Sequence, residues 1–353
     1  MNKLFKLIYL ILILAPNFSC VEKKSSGKEI SKLEVVNPSK IDTLKFTSGI
    51  RSIFQDSEGN YWLGSHQEGV SFYDGKSFQY FTKTDGLSDN QIRSIQKDSI
   101  GNIWFGTANG VSMYNGKKFI NYSTKIKDPK LKWNATIGNL WFNAGEHDGI
   151  NRYDGKNMNY LIFPKPINEN PDNSYGVTDI SKDKDGIVWI GTYAMLFNFD
   201  GNEINIFNKR ILELKDDEKL HIRSVLADSK ERIWIGNNGI GVLLLQGNST
   251  VNFSAKNGLI YENSLKNGSP SPAGTLEHVF AIEEDSEGNI WFGDRDTGAW
   301  KFDGKTIINY TIDDNLSTSM IWSIYNDNNN NLLFGMADGG VYKFNGQSFD
   351  KMF

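Results

Sequence analysis

Three arginines that share one place in a recurring segment are the first residues whose chemistry suggests a binding site. Each is the second residue of an Ile-Arg-Ser-Ile or Ile-Arg-Ser-Val run, at Arg51, Arg93 and Arg223. A guanidinium group offers a planar fork of N–H donors that can bind a carboxylate or a sulfate in bidentate fashion. The alternative is that the arginines belong to the repeat and pair with neighbouring units of the fold, and their recurrence in register favours this alternative.

Aromatic side chains take the same place in two further copies of the segment, at Phe280 and Trp322. Facing a cavity, they would stack on a sugar ring or an aromatic ligand. Packed between structural units, they would belong to the core, and this second interpretation is favoured because aromatic side chains are mostly buried.

Histidines beside carboxylates form a third candidate group. His66 lies two residues before Glu68, and His147 lies between Glu146 and Asp148. Such groups can bind a metal ion or act as an acid–base pair. A whole repeat separates the two histidines, however, and no third ligand follows by spacing, so we expect exposed loop histidines without a metal.

The elements that carry these residues belong to a sevenfold internal repeat. A tryptophan recurs at intervals from 37 residues (Trp104 to Trp141) to 57 residues (Trp234 to Trp291), with Leu333 in the seventh copy. Such lengths are typical of one four-stranded propeller blade. Each copy reads as four strands joined by tight turns, and the sheets must stack on one another to bury both of their apolar faces. The sequence therefore predicts an all-β fold, a seven-bladed β-propeller of four-stranded antiparallel blades over residues 44–353, with the tryptophans between blades.

Two details of the repeat are irregular. The third copy has Ala135 in place of the turn aspartate and an irregular first strand around residues 133–136. The closure of the ring stays open, because residues 349–353 can complete the seventh blade but residues 44–47 also resemble a fourth strand.

An aspartate lies six residues before the tryptophan position in every copy but the third. The turn from Asp56 to Asn60 resembles the Asp-box turn of sialidase propellers, in which the carboxylate accepts N–H groups of its own hairpin. Six copies around a ring cannot all be catalytic, so we interpret them as residues of the fold. They are Asp56, Asp98, Asp183, Asp228, Asp285 and Asp327.

The N-terminus predicts an exported, anchored protein. Lys3 and Lys6 precede an apolar run over residues 7–15, which is too short to span a bilayer but suits a signal sequence. Ser19 stands directly before Cys20, the single cysteine of the chain. This resembles a lipoprotein signal, in which the cysteine is lipidated; the alternative is an ordinary secretory signal. We therefore expect a signal peptide over residues 1–20, a flexible tether over 21–43, and a lipid-anchored location at the bacterial cell envelope.

Intact from residue 92 to 119, the pattern Ile-x-Ser-Ile-x-x-Asp-x-x-Gly-Asn-x-Trp-Phe-Gly-Thr with Gly-Val and Tyr-Asn-Gly following resembles the two-component regulator propeller repeat. In that family such propellers form the periplasmic sensor half of hybrid histidine kinases and commonly respond to oligosaccharides. The sequence ends after the seventh copy without the family's downstream kinase, so the resemblance implies a sensor-like module with no kinase activity of its own.

Varied loops on one face of a rigid ring are the expected place for a site. Chain composition argues against nucleic acid, since 38 basic and 42 acidic residues give a net charge of −4 without a basic run. Neither a nucleophile motif, a phosphate loop nor a paired-cysteine site is present. We therefore predict a binding module for an oligosaccharide or a protein partner, a monomer without a cofactor. The alternatives are a propeller lyase or glycoside hydrolase, and a structural protein–protein platform. The candidate ligand-binding residues are Arg51, Arg93, Arg223, Phe280, Trp322, His66, Glu68, Glu146, His147, Tyr193, Asn238 and Arg295.

Overall fold

The computed structural model describes residues 43–123, 139–145, 147–164, 174–261, 270–313, 316 and 318–353. The chain divides into two compact units, Met1–Asn37 and Pro38–Phe353, and all described residues belong to the second. The predicted signal sequence with Cys20, and the predicted tether as far as residue 42, lie outside them. None of the helices in these ranges is both long enough and apolar enough to cross a membrane.

Seven antiparallel sheets carry the described chain, six of four strands and one of three. The first four are blade one with β1 (Ile50–Gln55), β2 (Tyr61–Ser65), β3 (Val70–Tyr73) and β4 (Phe78–Phe81); blade two with β5 (Ile92–Lys97), β6 (Ile103–Thr107), β7 (Gly110–Tyr114) and β8 (Phe119–Tyr122); blade three with β9 (Leu140–Asn143), β10 (Gly149–Tyr153) and β11 (Met158–Ile162); and blade four with β12 (Val177–Lys182), β13 (Val188–Thr192), β14 (Leu196–Phe199) and β15 (Ile204–Phe207).

The remaining blades have the same order of strands. They are blade five with β16 (Ile222–Ala227), β17 (Ile233–Asn237), β18 (Val242–Gln246) and β19 (Ser249–Asn252); blade six with β20 (Val279–Glu284), β21 (Ile290–Asp294), β22 (Gly298–Phe302) and β23 (Ile307–Tyr310); and blade seven with β24 (Ile321–Asn326), β25 (Leu332–Met336), β26 (Val341–Phe344) and β27 (Phe349–Lys351). A 3-10 turn (Lys83–Asp85) and the short helix α1 (Phe253–Lys256) lie between blades.

The first strands of successive blades face one another around a closed ring. Contacts run from β1 to β5, then through β9 of blade three to β12, and on through β16, β20 and β24 back to β1. This arrangement confirms the predicted seven-bladed β-propeller. The irregular first strand predicted for blade three, at residues 133–136, lies outside the described residues.

The core lies between the blades, as the repeat predicts. Trp104 packs its ring 6.0 Å from that of Phe142 in the next blade, and Trp234 lies 5.5 Å from Phe292 in the same way. Two residues after the repeat tryptophan, every blade that has it except blade three, where Asn143 stands, has a glycine that makes room for the neighbouring first strand. A Cβ on Gly64 would lie 2.4 Å from Cγ2 of Ile92, closer than two carbon atoms can approach.

The recurring turn aspartates are confirmed as residues of the fold. Asp98 accepts hydrogen bonds on Oδ1 from the backbone N–H groups of Ile100 (3.1 Å) and Asn102 (2.8 Å), and on Oδ2 from Nε1 of Trp104 (2.8 Å). Burial alone would raise the pKa of Asp98, but these hydrogen bonds outweigh burial and lower it. Each turn thereby fixes the indole that fills the space before the next blade. The same indole-to-aspartate bond occurs at Trp62, Trp189, Trp234 and Trp291.

The C-terminal strand completes blade seven, which settles how the ring closes. β27 pairs with β26, and the N–H of Met352 continues this pairing by donating to the carbonyl of Val341 (2.8 Å). Residues 44–47 are not part of a sheet. They take the place of a connection between blades, with the carbonyl of Phe46 close to Gly339.

Candidate functional site

A central cavity of about 730 Å³ opens between the first strands of the blades. Its walls come from the first strands along most of their length. The beginnings of these strands lie beside the loops joining the second and third strands, because Ile50 pairs with Ser65. The mouth therefore belongs to the face with the variable loops. Seven of the twelve candidate residues line this cavity: Arg51, Arg93, Arg223, Phe280, Trp322, His66 and Tyr193.

A backbone irregularity explains why the second residue of each first strand faces the cavity. In blade one, the register with β2 shifts between Ile50 and Ser52, so that Arg51 has no partner across the ladder. A β-bulge of this kind bends the strand and re-aims the side chain of the extra residue. The same shift occurs in the five other blades whose first strand is described, at Arg93, Thr178, Arg223, Phe280 and Trp322.

Arginines and aromatic rings from adjacent blades contact one another at this level. The Arg51 guanidinium carbon lies 4.8 Å from the centre of the Trp322 ring, and that of Arg223 lies 4.2 Å from the centre of the Phe280 ring. Both sequence interpretations therefore describe part of the arrangement, because these side chains line the cavity and also pack between blades. The contacting faces of Phe280 and Trp322 are covered by the guanidinium groups and are closed to a sugar ring.

The three arginines lack acidic partners. Among the described residues, no carboxylate forms an ion pair with Arg51, Arg93 or Arg223. Burial, and then repulsion from Arg93 and Arg223, lowers the pKa of Arg51 to about 10. Burial also lowers the pKa of Arg223, although Tyr193 opposes this effect. Arg51 therefore stays positively charged at neutral pH, and no described carboxylate pairs with it.

His66 lies within this positive group. Its Nδ1 is 3.4 Å from Nη1 of Arg51 and 3.2 Å from Nε2 of Gln91. Burial lowers the pKa of His66, and the charges of Arg51 and Arg93 lower it further. Because donors approach Nδ1, we assign the neutral tautomer with the proton on Nε2.

Two acids lie further along the first strands, and sequence reasoning missed both. Asp179 accepts from Oγ of Ser224 (2.9 Å) and from the N–H of Val225 (2.9 Å), yet burial raises its pKa. Burial also raises the pKa of Glu283 to about 8. Glu283 lies three residues beyond Phe280, about 10 Å deeper at a rise of about 3.3 Å per residue. A comparison of the copies could have indicated Asp179, because it replaces a serine that four other first strands share.

Glu68 and Arg295 do not line the cavity, and both side chains have intramolecular partners. The Glu68 carboxylate accepts from the N–H groups of Thr47 (2.9 Å) and Ser48 (2.7 Å), which fixes the segment that enters blade one. Arg295 makes two hydrogen bonds to Asp296, at 2.9 and 2.7 Å.

Asn238 and His147, the remaining loop candidates that the structure describes, do not line the cavity either. Oδ1 of Asn238 lies 2.7 Å from Nδ1 of His278, and His147 packs against Tyr160 with ring centres 5.9 Å apart. Glu146 lies outside the described residues. His66 and His147 therefore form no acid–base pair, and in the described ranges no three His, Cys, Asp or Glu side chains are grouped to hold a metal ion.

Comparison with known proteins finds a family whose sequence model matches four segments of the chain. The sequence model of the two-component regulator propeller family matches residues 45–67, 86–109, 171–194 and 275–296. These segments cover the first two strands of blades one, two, four and six. No curated protein matches the sequence.

Solved structures share the fold. The extracellular domain of BT3049 from B. thetaiotaomicron, described as a hybrid two component system, is 22% identical with a TM-score of 0.61 over 86% of this chain and 39% of that chain. The extracellular domain of BT4673 from the same organism is 21% identical, with a TM-score of 0.61 and the same two coverages. This chain thus spans about two fifths of those domains. Virginiamycin B lyase from Staphylococcus aureus is 15% identical, with a TM-score of 0.63 over 86% of this chain and 97% of the lyase.

Proposed function

We infer that this chain, which carries two-component regulator propeller repeats, is a binding module of the bacterial cell envelope that takes its ligand into the central cavity. The ligand we propose is an oligosaccharide. A protein partner bound by the variable loops is the competing outcome of the test below.

The observation that carries this proposal is the cavity itself. A volume of about 730 Å³ lies within the range of about 300 to 1,000 Å³ that small-molecule sites occupy. Its wall combines aromatic rings, guanidinium groups and a histidine, which suits recognition of a polar ligand with a few fixed contacts. The rigid ring of first strands holds these side chains in place.

The envelope location has two supports. The Lys3 and Lys6 pair, the apolar run and the Ser19-Cys20 step fit a lipoprotein signal. The extracellular domains of BT3049 and BT4673 have the same propeller fold. Lipidation of Cys20 would hold the propeller at a membrane surface.

Binding is favoured over catalysis by the placement of the acids and bases. An enzyme in this cavity would need the arginines to converge with Glu68, Glu146, His147 or Tyr193. Of the three that the structure describes, Tyr193 alone lines the cavity, where it lies beside Arg223. Likeness to virginiamycin B lyase concerns the fold and carries no residue roles.

A thermal-shift screen of the purified protein against neutral, uronic and sulfated oligosaccharides tests this proposal. A ligand at a hundred times its dissociation constant stabilises the folded state by about 2.7 kcal/mol, which raises Tm by a few degrees. We expect His66→Ala to reduce the shift, whereas His147→Ala, on the same face but outside the cavity, leaves it intact. A ligand that passes this test is then assayed for turnover.

An absence of any shift across the panel would contradict the oligosaccharide proposal and favour a protein partner. An equal loss of the shift in both histidine variants would place the ligand outside the cavity.

A further inference from the structure

The charge on the cavity wall is uncompensated, and this sets the chemistry of what can bind. Arg51, Arg93 and Arg223 approach one cavity from blades one, two and five. Arg51 and Arg223 rest on aromatic faces, and Nη2 of Arg93 donates to Oε1 of Gln91 at 3.4 Å. Neutral groups therefore position all three cations without cancelling their charges.

We propose that Arg51, Arg93 and Arg223 together bind an oxyanion of the ligand, a carboxylate or a sulfate, at the mouth of the central cavity. This inference rests on the proposed function, because it names the ligand group that the same cavity selects. An oxyanion would relieve the repulsion among the arginines and accept charge-assisted hydrogen bonds from them.

Unpartnered donors at this level support the assignment. Nε of Arg93 is buried and has no hydrogen-bond partner, and Nε1 of Trp322 is buried and unpartnered in the same way. A buried donor without an acceptor costs free energy, which a bound oxyanion or its bridging water would recover. Nε and a terminal nitrogen of Arg93 form one edge of the guanidinium fork that suits a two-oxygen acceptor.

The deeper wall fixes the orientation of the ligand. Asp179 and Glu283 lie beyond the arginines along the first strands, and burial raises the pKa of both carboxyls, which favours their neutral, hydrogen-bonding forms over the charged ones. Ser94 and Gln96, one and three residues beyond Arg93, line the same wall and offer hydroxyl and amide groups. We therefore expect the charged end of the ligand at the mouth and a neutral, hydroxyl-rich part below it.

A structural role for the arginines and a role in anion binding predict opposite effects of substitution on Tm. If Arg93 served the fold, Arg93→Gln would lower Tm. If it belongs to an anion site, Arg93→Gln removes a repulsive charge, so that Tm of the free protein stays the same or rises while anion binding is lost. Such an opposition between stability and binding marks a residue kept for its ligand.

Calorimetric titration with matched probes tests the proposal. Trigalacturonic acid is compared with its methyl ester, and galactose 6-sulfate with galactose, on the wild-type protein, Arg93→Gln, Arg93→Lys and the control His147→Ala. We expect at least one acidic probe to bind about tenfold or more tightly than its neutral counterpart, since charge-assisted hydrogen bonds are stronger than hydrogen bonds between neutral groups. That preference should vanish in Arg93→Gln, weaken in Arg93→Lys and persist in His147→Ala.

The outcomes separate this inference from the proposed function. Equal binding of charged and neutral probes, lost in His66→Ala, overturns the oxyanion site and leaves the cavity as the binding site. A charge preference that survives Arg93→Gln with a lower Tm assigns Arg93 to the fold and also overturns the proposal. No binding of any probe overturns the oxyanion site and contradicts the oligosaccharide proposal as well.

Discussion

At the scale of the residue, Glu283 carries a carboxyl group whose surroundings oppose its ionisation. Burial raises its pKa from 4.5 to about 8, and the nearby carboxyls of Asp179 and Glu284 add to the rise. Tyr325 lies nearby, and a negative charge on Glu283 raises the pKa of the Tyr325 hydroxyl. The cavity therefore holds a carboxylic acid that is mostly protonated at neutral pH and can donate a hydrogen bond to a ligand.

This raised pKa predicts a pH-dependent stability. Between pH 4.5 and about 8 the folded state binds a proton at Glu283 that the unfolded state has lost, so the free energy of unfolding falls as pH rises through this window. The slope from this one group is at most about 1.4 kcal/mol per pH unit. Glu283→Gln keeps the side chain neutral and should remove this contribution. The Tm of the variant minus the Tm of the wild-type protein should therefore increase from pH 5 to pH 9. Parallel Tm curves for the two proteins would contradict the assignment.

Part of the candidate site could be predicted from the sequence and part could not, and individual residues show why. Arg51 and Trp322 were recognisable from their common place in the repeat, but their contact requires knowing that blade seven adjoins blade one. Glu68 appeared as a free loop carboxylate because its partners, Thr47 and Ser48, lie about twenty residues earlier in the chain. Asp179 was missed because its partners, Ser224 and Val225, belong to the next blade and meet it only when the ring has formed.

At the scale of the element, the junction between blades seven and one replaces a chain connection with side-chain contacts. Blade seven has Leu333 where other blades have tryptophan, so Asp327 lacks its usual indole donor. The hydroxyl of Tyr61 in β2 takes that place and donates to Oδ2 of Asp327 at 2.6 Å. Oγ of Ser323 also donates to the carbonyl of Ile50 at 2.8 Å. These bonds tie the last blade to the first.

Tyr61→Phe should therefore weaken the closure specifically. It removes a buried hydrogen bond to a carboxylate, a loss of about 1.5 to 3 kcal/mol, which lowers Tm by several degrees. The control is Tyr73→Phe in the same blade, because within the described ranges the Tyr73 hydroxyl makes no hydrogen bond and its loss should change Tm little. Thermal melts of both variants by circular dichroism give the comparison. Equal Tm values for the two variants would show that the Tyr61 bond does not stabilise the closure.

At the scale of the whole molecule, most junctions between neighbouring blades are built from the same contacts. The repeat length, the tryptophans and the turn aspartates sufficed to predict the blades, because the bond between the indole and the turn aspartate recurs in five of the seven blades. The closure was not predictable from the same pattern, because residues 44–47 and 349–353 both resemble fourth strands. Packing decided between them: β27 pairs with β26, whereas Phe46 joins the cluster around Ile50 and Val341 beside the blade.

A closed ring predicts that the position of the chain ends is interchangeable. Phe353 packs against Tyr61 and Phe78, and Leu44 belongs to the same cluster, so a short linker can join residue 353 to residue 43. Opening such a protein in the connection between blades five and six keeps every blade whole, and we expect it to fold with a cooperative melt. Opening it instead at the turn between β22 and β23 removes the covalent link between two paired strands of blade six and should cost more stability, because a much longer loop must then close to form the same pairing. If both permutants melted alike, the unit of stability would be the whole ring rather than the blade.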